Sequence, residues 1–179
     1  MTGARRGELC ALRWADVDLD DQSILIKRAI VDAGGSLVEK DTKTHQVRRI
    51  AIGADTGERL LAHRQAYEER ASLFGVRLAT GAHVFARDPQ GLEPWRPDSM
   101  THRFVDARRK AGLGDDVRLH DMRHFLATRM IAAGVDVRTV SGRLGHRRTS
   151  TTTDRYAAFV PASDRLAADG FEASLRPKT

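Results

Sequence analysis

The chain of 179 residues has one cysteine, Cys10, so no disulfide can form within it, and an unpaired thiol fits a reducing interior better than secretion. No stretch resembles a signal peptide, and no apolar run approaches the ~20 residues that cross a bilayer as a helix. Internal repeats, low-complexity tracts and linkers are missing as well. These absences predict a soluble, cytoplasmic protein with no membrane partner, long enough to bury a core as one domain. Tyrosine is also scarce, with only Tyr67 and Tyr156.

Basic charge, by contrast, is plentiful. Thirty Lys and Arg against 24 Asp and Glu leave a net charge of +6. Residues 101–149 hold eleven Arg or Lys against five Asp and no Glu, so this segment carries the whole excess and the remainder is balanced. Such a concentration suits a polyanionic partner; the plainer alternative is a solvated basic face.

The same segment carries chemistry in an ordered series: His120-Asp121-Met122-Arg123, then Leu144-Gly145-His146, then Tyr156. A phosphodiester is anionic and gains charge on attack, so cutting one without metal requires cationic donors around it. Arginine suits this need because its planar fork pairs two oxygens and stays charged. A phenol could then store the cut end as a covalent ester. At the front, Thr2-Gly3-Ala4-Arg5-Arg6-Gly7-Glu8-Leu9 sets two arginines beside a carboxylate, and Asp41-Thr42-Lys43-Thr44 follows a strand-like run.

Together these motifs resemble the catalytic domain of the tyrosine recombinase (phage integrase) family, whose pattern is T-G-x-R-x-x-E, a hairpin lysine, H-x-x-R, L-G-H and tyrosine. Matched onto this sequence, the pattern selects Arg5, Lys43, His120, Arg123, His146 and Tyr156, in family order, over nearly the whole chain. H-x-x-R alone arises by chance in most proteins, whereas the ordered combination is specific. The resemblance implies a single catalytic domain over residues 1–179. The family's upstream core-binding domain and first catalytic-domain helices would be missing. It also implies site-specific recombination of double-stranded DNA by a tetramer, through a 3′-phosphotyrosine intermediate, with no metal, ATP or other cofactor.

Periodicity predicts an α+β fold, mainly helical, with a small antiparallel three-stranded sheet. Arg5 to Leu12 reads as a short helix capped by Thr2. Strands are expected over Ser23 to Ile30, Ser36 to Glu39 and Val47 to Ile52, with a Gly34-Gly35 turn. Helices are expected over Thr56 to Phe74, Asp98 to Ala111 and His120 to Ala133, with a short one capped by Asp136. In the third, Met122, Phe125, Leu126 and Met130 form one stripe, and His120 and Arg123 share the neighbouring face. Thr149 to Phe159 carries Tyr156, and Ala162 to Leu175 reads as a terminal helix suited to docking on a neighbouring subunit.

Each residue has a role under the resemblance. A phenol has a pKa of about 10, so only about one in a thousand is ionised at neutral pH. Neighbouring guanidinium charge would lower it, and His120 would take the proton as Tyr156 attacks. Arg5 and Arg123 would grip nonbridging oxygens, His146 would donate another hydrogen bond, and Lys43 would protonate the leaving 5′ oxygen, with Lys40 its nearest rival. Glu8 supports Arg5 from one helical turn away. Arg6 reads as a surface salt bridge, and Tyr67 as a half-buried ring with its hydroxyl at the surface. Two other readings compete: a DNA-binding, catalytically weak or inactive truncated integrase domain, and a metal-dependent nuclease using His120, His124 and His146.

Overall fold

In the computed structural model, which describes residues 2–41 and 47–146, helix α1 (Arg6–Ala11) is started by its own third residue. The Arg5 backbone N–H donates to the Glu8 carboxylate at 2.7 Å, satisfying a donor at the helix start. Thr2 does not cap this helix as expected: its hydroxyl accepts from the Ala4 N–H at 3.3 Å, ahead of the first turn. Lys43, Tyr156 and the segments 149–159 and 162–175 lie outside the described residues.

After a 3-10 turn at Trp14–Asp16 come β1 (Val17–Asp18), β2 (Ser23–Ile26), β3 (Arg28–Ala33), β4 (Ser36–Asp41) and β5 (Arg48–Ala51). They form two antiparallel sheets, one ordered β1-β2-β5 and the other a β3-β4 hairpin. The expected fold class holds, but strand membership differs, because the run from Ser23 to Ile30 is broken at Lys27 and its halves enter different sheets. Buried Asp16 gives the reason. Lys27 Nζ lies 2.7 Å and Arg28 Nη2 2.5 Å from its two oxygens. Successive side chains of a regular strand point to opposite faces, so both can reach one carboxylate only where the strand is interrupted.

Helices α2 (Ala54–Leu73), α3 (Pro97–Lys110), α4 (Leu119–Ala132) and α5 (Val137–Leu144) begin and end within two residues of the positions expected from sequence. Pro97 opens α3 where a missing N–H costs nothing, and Asp136 Oδ1 accepts from the Thr139 N–H at 2.9 Å to cap α5. The α4 stripe is placed differently. Arg123 and Ala127 are its buried pair, whereas Phe125 is 49% exposed. Among the described residues no helix is long and apolar enough to cross a membrane.

Three apolar clusters hold these elements. Leu12, Trp14, Ile24 and Ile50 pack with Val84 under the three-stranded sheet. Cys10, Ile30 and Met100 join α1 to β3 and α3, and Ala127, Val140 and Leu144 join α4 to α5. Tyr67 is buried, not half-buried: its hydroxyl donates to the Ala86 carbonyl and accepts from the Ala86 N–H at 3.1 Å, closing a stretch with no regular strand partner.

Candidate active site

Gly3 brings the first motif against the last two helices. Its φ of +70° is open to glycine, and a Cβ there would come within 2.9 Å of Leu126 and Leu144 side chains. Its carbonyl accepts from Arg123 Nη1 at 2.5 Å. Arg123 Nη2 donates to the Leu144 carbonyl at the end of α5. One buried guanidinium therefore ties the T-G segment, α4 and the L-G-H segment together, and its plane is set by two backbone oxygens.

Arg5 reaches the same place from the N-cap position of α1. Its Nη2 donates to the Gly145 carbonyl at 2.9 Å and its Nη1 meets Glu8 Oε1 at 3.0 Å. Gly145 ends α5 in the left-handed region (φ 64°, ψ 48°), and this turn exposes its carbonyl to Arg5 while the His146 N–H bonds the Ser141 carbonyl at 3.1 Å. Arg5, His120 and Arg123 line one cleft of about 260 Å³, together with Arg6, Thr101 and Arg118. The two residues before His146 bond Arg123 and Arg5, so L-G-H is anchored to both arginines.

Glu8 is almost wholly buried. Burial alone would raise its pKa, but the hydrogen bonds and charges of Arg48 and then Arg5 outweigh it and leave the carboxyl below its ordinary 4.5. It therefore stays an anion between two cations. Arg6 pairs with Asp98 at 3.3 Å and with the Thr101 hydroxyl at 2.9 Å, in keeping with the surface role expected of it. Lys40 lines a second hollow, of about 510 Å³, beside Arg5 and Arg6. His120 and His124 meet edge to face with ring centroids 4.7 Å apart, and among the described residues no group of three or more His, Cys, Asp or Glu is arranged to hold a metal.

Two inward arginines escape a reading by motif. Arg108 is buried on α3, donating to the Asp115 and Val117 carbonyls at 2.7 and 3.1 Å, so part of the basic excess is structural. Arg48 forks onto Glu8, with Nη1 to Oε1 at 3.1 Å and Nη2 to Oε2 at 2.8 Å, and its Nε donates to the Arg143 carbonyl at 2.8 Å. A signal for Arg48 was present: the alternation along Val47 to Ile52 puts it on the face of Ile50 and Ile52, both buried.

Known proteins supply a frame for this arrangement. The model of the Phage integrase family matches residues 1–161. The ICEBs1 integrase of Bacillus subtilis is 29% identical over 170 residues, covering 94% of this chain and 45% of that protein. A tyrosine recombinase XerC-like protein of Caldanaerobacter subterraneus is 26% identical, covering 89% and 44%. This chain thus spans less than half the length of those relatives. Among solved structures, the Tn1549 transposon integrase in complex with transposon right end DNA superposes with a TM-score of 0.75 at 21% identity, over 96% of this chain and 55% of that one. XerA recombinase gives 0.68 at 22%, over 99% and 55%. With the family model matching residues 1–161, the chain belongs to the phage integrase family.

Proposed function

We propose that this chain is the catalytic part of a site-specific tyrosine recombinase that cuts and rejoins double-stranded DNA in the cytoplasm, working as a tetramer. The convergence of Arg5, Arg123 and His120 on one cleft carries the reading, because a transferring phosphoryl group needs such a cluster of donors. The Tyr156 oxygen attacks phosphorus as its proton passes to His120, and the P–O5′ bond breaks as Lys43 gives the leaving oxygen a proton. The strand is held as a 3′-phosphotyrosine ester until a 5′ hydroxyl reverses the step. Arg5, Arg123 and His146 stabilise the charge that builds on the nonbridging oxygens. The DNA partner is supported by the relatives solved with DNA bound.

A nicked suicide DNA substrate tests this. The expected result is a covalent protein–DNA adduct that survives denaturation with wild type and is lost in Tyr156→Phe. Equal adduct in Tyr156→Phe, or none with wild type, would overturn the catalytic reading. Salt-sensitive binding without any adduct would mark a DNA-binding module instead.

A further inference from the structure

We infer that Arg48 is a positioning residue for this cleft, acting through Glu8 and the end of α5 and touching no DNA; the inference rests on the DNA-cutting reading above. The Glu8 carboxylate has room for about four hydrogen bonds, and two arginines supply them. Arg5 gives its backbone N–H at 2.7 Å and Nη1 at 3.0 Å. Arg48 gives Nη1 at 3.1 Å and Nη2 at 2.8 Å. The Arg48 side chain is the more deeply placed, 8% exposed against 38% for Arg5.

Charge follows from that geometry. One buried anion faces two cations, and the bidentate fork on the inner side takes the larger share of it. Arg5, on the outer side, therefore keeps a net positive field toward the cleft. Without Arg48, Glu8 would neutralise Arg5 and weaken its hold on the charge that builds only in the transition state. Arg48 also fixes the turn that presents Gly145 to Arg5. Its Nε holds the Arg143 carbonyl at 2.8 Å, and a Cβ at Gly145 would lie 2.8 Å from its Nη1. A single side chain of β5 thereby sets the charge and the placement of Arg5 together.

The experiment measures single-turnover adduct formation on nicked DNA, DNA affinity and thermal unfolding for wild type, Arg48→Met, Arg48→Lys and the double variant Glu8→Gln with Arg48→Met. Misplacing a catalytic donor from a distance costs about 100-fold in rate, and that loss is expected for Arg48→Met with DNA affinity unchanged. Arg48→Lys keeps the charge but loses the fork, so its rate falls in between, and it serves if Arg48→Met does not fold. Removing the Glu8 charge as well should restore part of the rate, since Arg5 is no longer neutralised. A purely structural role predicts the reverse, with the double variant slower than Arg48→Met. Wild-type rates in both Arg48 variants, or a double variant slower than Arg48→Met, would overturn the inference. If wild type forms no adduct, the DNA-cutting reading fails by itself. The positioning claim is then decided by the nitrogen-15 signal of the Arg5 guanidinium, which must broaden or shift in Arg48→Met or Arg48→Lys and which, if unchanged, refutes it.

Discussion

Glu8 and Cys10 sit two residues apart in the same helix, and burial treats them in opposite ways. For Cys10, burial is uncompensated and pushes the thiol up to about 11, with the Arg6 charge pulling only weakly against it. It should resist a thiol reagent at pH 8 in the folded protein and react fully in denaturant. For Glu8, two arginines reverse the sign, so its folded-state pKa lies below its unfolded one. Such a group stabilises the fold above the unfolded value and loses that contribution as pH falls through the folded one. Glu8→Gln leaves buried guanidinium charge uncompensated and should cost about 3–5 kcal/mol near neutral pH. Thermal unfolding against pH should show the gap from wild type closing below pH 4.5, where Glu8 itself takes up a proton. Tyr67→Phe strands the Ala86 amide and should cost about 1–3 kcal/mol, yet leave adduct formation intact. That contrast with Tyr156→Phe separates the chemical tyrosine from the structural one.

At the scale of elements, the turn after α5 matters most. Gly145 combines a left-handed backbone with close approach of Arg48, so Gly145→Ala meets strain of about 1–2 kcal/mol from the backbone alone, before any shift of the guanidinium. A lower melting temperature and a slower adduct are expected together; an unchanged rate would show that the turn does not set the Arg5 contact. Helix boundaries were largely legible in the sequence because caps act locally: Asp136 works within a turn of its own position. The strand break at Lys27 was not, because its cause is the Asp16 carboxylate, a partner eleven residues away. The exposure of Phe125 was hidden for the same reason, since the side of α4 that faces α5 is chosen by Arg123 and Ala127.

Over the whole molecule, basic charge divides between inside and outside. Arg48 and Arg108 are turned inward, whereas Arg123, though buried, lines the cleft at which Arg118 and His120 lie exposed. Only outward charge can displace counterions from DNA. Binding should therefore weaken linearly in log salt, and Arg118→Ala should reduce the slope by about one unit, as expected for one phosphate contact. A slope unchanged in Arg118→Ala would place the phosphates elsewhere. Adduct formation should be indifferent to chelator under the tyrosine mechanism, whereas a metal-dependent nuclease would stop.

The sequence by itself determined the family pattern, the order of Arg5, His120, Arg123 and His146, and the helices that carry or adjoin them, because motif spacing and capping are properties of contiguous residues. Only the tertiary structure decided which cations serve the cleft and which serve the frame. Arg48 reaches Glu8 across 40 positions and Arg123 reaches Gly3 across 120. Whether a guanidinium faces solvent or a buried carboxylate depends on what the folded chain brings beside it, which no local pattern encodes.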